Sequence, residues 1–160
     1  MMLVVTIILM IIIAFLAVFY SQNVTPEARV SAAYSSLNAV KEACKAAVQF
    51  VDVGQEDEYF FFGKTMTDAQ RSEYAPQCGV SSFSGDRVYL IDPYSDKEED
   101  RRRIKNLELS NLRERYVVDL DSDCYYLVGG IGRTDDESEK KYEYFDIQSL
   151  YDMIKKYGKV

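Results

Sequence analysis

The chain has no histidine and no tryptophan in its 160 residues, only three prolines and three cysteines, and no charged side chain before Glu27. Without His, the Ser-His and Cys-His pairs of hydrolases are excluded, as are imidazole metal sites. A nucleophile would have to work with Lys, a carboxylate or another base, and no such set stands out. No CxxC pair marks a zinc or redox centre. Gly63-Lys64-Thr65 has the tail of a phosphate loop, but Glu58 stands where that loop needs glycine. No catalytic residue, metal or cofactor is therefore expected, and a non-enzymatic role is.

Basic charge is also in deficit: 26 acidic residues face 19 basic ones, for a net charge of −7. An acidic surface repels phosphate, which argues against nucleic acid as a partner. Juxtamembrane Lys/Arg clusters that grip anionic lipid are missing too.

What fills the uncharged start is an apolar run from Met1 to Tyr20 whose polar member is Thr6. Leu3, Val4, Val5, Ile7, Ile8, Leu9, Ile11, Ile12, Ile13, Phe15, Leu16, Val18 and Phe19 make it greasy on every side of a helix. Twenty residues rising about 1.5 Å each span roughly the 30 Å of a bilayer core. No Lys or Arg stands ahead of the run, the reverse of an ordinary signal anchor. A chain cut directly in front of the apolar segment, and keeping it, would account for that start.

Ser21, Gln22, Asn23, Val24, Thr25 and Pro26 follow, with weak helix preference. Thr25-Pro26-Glu27 reads as an N-cap, a first-turn proline and an acid placed against the helix dipole, so the rod is expected to break here and restart. Val30, Tyr34, Leu37, Val40, Cys44, Val48 and Val51 then recur at spacings of three and four, an amphipathic helix ending before Gly54. Three regions follow: 1–25 as the membrane half of a helix, 26–53 as its amphipathic half, and 54–160 as one globular head. As one rod, residues 1–53 would reach roughly 80 Å, against a small domain's ~30 Å, so half would protrude.

The head reads as short mixed elements. Tyr59 to Phe62 is an aromatic cluster, most simply core or strand. Thr67-Asp68-Ala69-Gln70 has capping-box form and opens a short helix to about Tyr74; Ser95-Asp96-Lys97-Glu98 is a second box, opening a charged helix from Asp96 to Glu114. The charge run of that helix reads as a solvated face. Arg115–Leu120 and Cys124–Val128 read as strands joined at Asp121-Ser122-Asp123, with Gly129, Gly130 and Gly132 ending the second. Lys141–Phe145 and Arg87–Ile91 complete a meander, and Asp146 caps a last helix with Ile147, Leu150, Tyr151 and Ile154 on one face.

Asp119, Asp121 and Asp123 invite a calcium reading, but the Gly and Glu of a calcium loop are replaced by Cys124 and Gly130, so no metal is expected. Three cysteines fit either three thiols or one disulfide and one thiol; Cys78, in a turn-like loop, and Cys124, heading a strand, are the expected pair.

A long N-terminal helix, apolar and then amphipathic, ahead of an antiparallel β-meander resembles the type IV pilins and pseudopilins. The likeness is carried by Met1 to Tyr20, by Thr25-Pro26 where pilin helices loosen on assembly, and by Val30 to Val51 against the head. It implies an α+β fold and a structural subunit of an extracellular filament at the cell surface, with the apolar helices packed as its core. It also implies a membrane-embedded pool before assembly, further copies of the chain as partners and a pilus assembly machinery. Val5 stands where major pilins carry Glu, which points to a minor pilin, a pseudopilin or a divergent lineage. The alternative is a bitopic membrane-anchored protein with an extracytoplasmic binding or envelope-assembly domain.

Overall fold

The computed structural model describes residues 7–14, 26–109, 111–132 and 142–157. The chain is α+β: one long helix, a four-stranded antiparallel sheet and several short helices. Residues 7–14 are helical. The long helix, α1 (Pro26–Asp52), starts at the proline whose missing N–H has no partner in a first turn anyway. It ends in a Schellman motif: Gly54 takes φ 72°, Gly54 N donates to Val51 O at 3.0 Å and Gln55 N to Phe50 O at 3.0 Å.

The strands β1 (Val88–Ile91), β2 (Tyr116–Asp119), β3 (Cys124–Gly132) and β4 (Tyr142–Asp146) lie in sequence order, each antiparallel to the next. Alternation along the strands splits the core in two. Tyr89, Ile91, Tyr116, Val118, Tyr125 and Leu127 face α1, whose Val30, Leu37, Val40, Cys44 and Ala47 are buried against them. Tyr34, Val48 and Val51 pack half-buried at the margins of the same stripe. The last helix, α5 (Ile147–Tyr157), joins this layer through buried Leu150 and half-buried Ile147 and Ile154. Asp146 Oδ1 accepts the Ser149 N–H at 2.7 Å and so caps it.

On the opposite face Val88 and Val117 meet Met66, Ala75, Cys78 and Phe83. They come from helix α3 (Asp68–Gln77) and the segments on either side of it. The α3 start is a complete capping box: Thr67 Oγ1 accepts from Gln70 N while Gln70 Oε1 accepts from Thr67 N. β2 is thus covered on both faces, and all four of its residues are buried.

Four sequence expectations change. Tyr59 to Phe62 supplies core, through buried Phe61 and Phe62, but from a short helix, α2 (Glu58–Phe62), and not from a strand. Asp57 Oδ1 accepts the Phe60 N–H at 2.8 Å to start it, and Gly63 at φ 75° stops it. The charged helix α4 is confined to Glu98–Asn106, because Leu107 turns into the core and Glu108 and Asn111 take positive φ. Its N-cap is Lys97, with no side-chain cap, since the Ser95 hydroxyl bonds the Asp100 carboxylate instead of closing a box with Glu98. Gly129 and Gly130 do not end β3; at φ 83° and 59° they carry it through a register shift and on to pair with β4.

Candidate functional site

Ile7 to Ile13 form the described part of the apolar run. Every side chain among them is 49% to 72% exposed, so the helix presents grease on all sides and none of it is covered by the head. Each such side chain gains about 1.5–3 kcal/mol from burial. Among the described residues no helix is long and apolar enough to cross a membrane. Leu3, Val4, Val5, Phe15, Leu16, Val18 and Phe19 lie outside the described residues, as do Ser21 to Thr25 of the expected break. Pro26 is the first residue of α1.

The solvent side of α1 mixes exposed small residues, Ala28, Ser31, Ala32, Ser35, Ala39 and Ala46, with the charged side chains of Arg29, Glu42 and Lys45. At its far end the surface becomes aromatic. Phe50, Val53, Tyr59 and Phe60 are exposed together, with the Phe50 and Phe60 rings 6.3 Å and 5.0 Å from that of Phe61.

The Asp119, Asp121 and Asp123 carboxylates diverge onto three different partners. Asp119 is 1% exposed; its Oδ2 accepts the Gly85 N–H at 2.9 Å and its Oδ1 the Ser122 N–H at 3.1 Å. Asp121 Oδ2 accepts the backbone N–H groups of Asp86 and Arg87, and its Oδ1 takes Arg87 Nε at 2.7 Å. Those bonds, the Arg87 backbone N–H first, hold the Asp121 carboxyl below the usual range. Asp123 faces Lys45 at 3.8 Å. From the carbonyl side, Arg71 donates to Gly85 O at 2.8 Å and to Asp86 O. The loop ahead of β1 is therefore gripped on its donors by two aspartates and on its acceptors by one arginine. Gly85 has to be glycine, because a Cβ there would lie 2.0 Å from Asp119 Oδ1. Among the described residues no group of three His, Cys, Asp or Glu side chains could hold a metal ion.

The expected Cys78–Cys124 bond is not formed. All three cysteines are free thiols. Cys78 is enclosed by apolar neighbours under α3, whereas Cys124 begins β3 and its Sγ donates to Ser122 O at 3.4 Å.

Beside α2 lies an open cleft of about 570 Å³, walled by the segment 64–67, the first turn of α3, the end of β1 and the first turn of α4. Arg103 organises one wall. Its guanidinium sits 4.8 Å over the Tyr59 ring, bonds Asp100 Oδ1 at 2.8 Å and Glu99 Oε2 at 3.4 Å, and leaves no room for a Cβ at Gly63. Asp92 on another wall pairs with Arg115 Nε at 3.0 Å. Sequence motifs mark parts of this wall singly, the Gly63-Lys64-Thr65 tail and the Thr67–Gln70 box, but nothing in them joins the parts into a cleft.

No known family model, curated protein or solved structure matches the chain.

Proposed function

We propose that the chain is the structural subunit of a type IV pilus-like extracellular filament, assembled by packing of its apolar leading helices. The observation that supports this reading is the helical segment 7–14, apolar on every side and uncovered by the head. Before assembly the surrounding lipid of the membrane would solvate it. Transfer by the assembly machinery into a bundle of identical helices keeps the same side chains from water, at about 25 cal/mol per Å². A contact between unlike faces, repeated by rotation and rise, does not close and so propagates as a helix of subunits. The small residues along the outside of α1 would allow neighbouring helices to come close.

Electron microscopy of the fraction sheared from intact cells tests the reading, with Ile12→Asp as the variant. Filaments are expected from the parent chain, and none from the variant, because a carboxylate in the bundle core would be unpaired. Dispersed, lipid-held subunits with no polymer from the parent chain would defeat the proposal. They would favour the second reading, a membrane-anchored head that binds a ligand, for which the open cleft beside α2 speaks.

A further inference from the structure

The cleft beside α2 has an uneven distribution of satisfied charge. Each of its carboxylates is engaged: Asp92 by Arg115 and the Tyr94 N–H, Asp100 by Arg103 and Ser95, and Glu99 by Arg103. Its two ammonium groups, on Lys64 and Lys97, have no acidic partner among the described residues. The lining balances overall, Lys64, Lys97 and Arg103 against Asp92, Glu99 and Asp100, but the two lysines are the cations that no described carboxylate engages, and they face the concavity.

The remaining lining narrows the ligand. The volume is within the ~300–1,000 Å³ of small-molecule sites, yet the cleft is open, so its occupant stays partly in water. Tyr74 and Tyr59, the latter already carrying the Arg103 guanidinium on one ring face, supply aromatic wall for a C–H surface, while Thr65, the Tyr74 hydroxyl and the Gln70 amide offer partners for hydroxyl groups. A fatty acid would find too little apolar wall, and a bare inorganic anion would use the lysines and leave the rings idle. We propose that this cleft binds a carboxylated sugar, its carboxylate between Lys64 and Lys97 and its ring against the tyrosines. The inference does not depend on polymerisation; it holds for a filament subunit and for an anchored monomer alike.

The test is calorimetric titration of the full chain in a sugar-free polyoxyethylene detergent, with glucuronate, glucose and inorganic phosphate as probes. Glucuronate should bind saturably and at least about tenfold more tightly than glucose, and more weakly as salt rises. The double variant Lys64→Ala/Lys97→Ala should lose about tenfold or more, while Lys45→Ala, a cation elsewhere on the surface, should bind as the parent does. Both lysines are exposed, so circular dichroism should show the double variant folded. If it is not, Lys64→Gln/Lys97→Gln removes the charges while keeping much of each chain's length, and the same loss is expected. Equal affinity for glucose, phosphate binding as tight as glucuronate, no saturable binding, or undiminished binding by the variants would each overturn the assignment. Because micrographs of sheared filaments are unaffected by any of these results, the two proposals fail separately.

Discussion

On one face of the sheet, α1 and α5 lay down Val30, Leu37, Val40, Cys44 and Leu150 against Tyr116, Val118, Tyr125 and Leu127, a contact that is mostly apolar, with the tyrosine hydroxyls as its polar atoms. On the other, a smaller apolar group around Met66, Cys78 and Phe83 is closed by a loop whose backbone is pinned by Asp119, Asp121 and Arg71. The first face is held by area removed from water and so tolerates repacking. The second depends on directed bonds to particular atoms and tolerates little.

The widest gap between the faces should come from shortening Leu37, which is fully buried in the α1 stripe. Leu37→Ala is expected to cost about 2–5 kcal/mol, read as a drop in the chemical-denaturation midpoint. A cost below ~1 kcal/mol would mean that α1 does not anchor the head. Next comes Gly85→Ala, whose added methyl falls on the Asp119 carboxylate and must push the loop off it. About 1–3 kcal/mol is expected from a single methyl group, by the same measurement. A neutral result would show that the aspartate grip is dispensable. The smallest effect concerns acid. Asp121 has a folded pKa below its unfolded value near 4, so its contribution is fully present above that pH and is lost as pH falls through the folded value. The parent chain should therefore lose stability below about pH 4 more steeply than Asp121→Asn, whose acid limb of a stability-against-pH curve should be flatter.

The same contrast separates what could be read from the letters from what could not. The α1 stripe announces itself, because Val30, Leu37, Val40 and Cys44 recur at steps of three, four and seven over several turns, and burial falls on those positions. The strands follow from short β-rich runs, with the tight turn at Asp121-Ser122-Asp123 pairing β2 and β3, and the Thr67 capping box is a local bond between neighbours in sequence. The grip on Gly85 could not be read in this way, since Asp119 lies 34 positions away and no periodicity links them. Alternating aspartates look alike whether they hold an ion or a backbone; only the fold brings N–H groups to two of them. For the same reason Tyr59 to Phe62 misleads: aromatic side chains favour strands, but one carboxylate at Asp57 and one glycine at Gly63 turn the stretch into a helix. The cleft is harder still, because Lys64, Tyr74 and Lys97 come from separate segments and share a wall only once α3 and α4 are docked.

The three sulfurs have a practical consequence. Burial pushes the Cys44 and Cys78 thiols up to about 12, so at neutral pH neither offers an appreciable thiolate to an alkylating reagent or an oxidant. Cys124, at the rim of the sheet and only half enclosed, is the one that a maleimide dye can reach in the folded head. The natural chain thus carries a ready attachment point for a single fluorophore, through which individual heads can be counted or their neighbours ranged without engineering any residue.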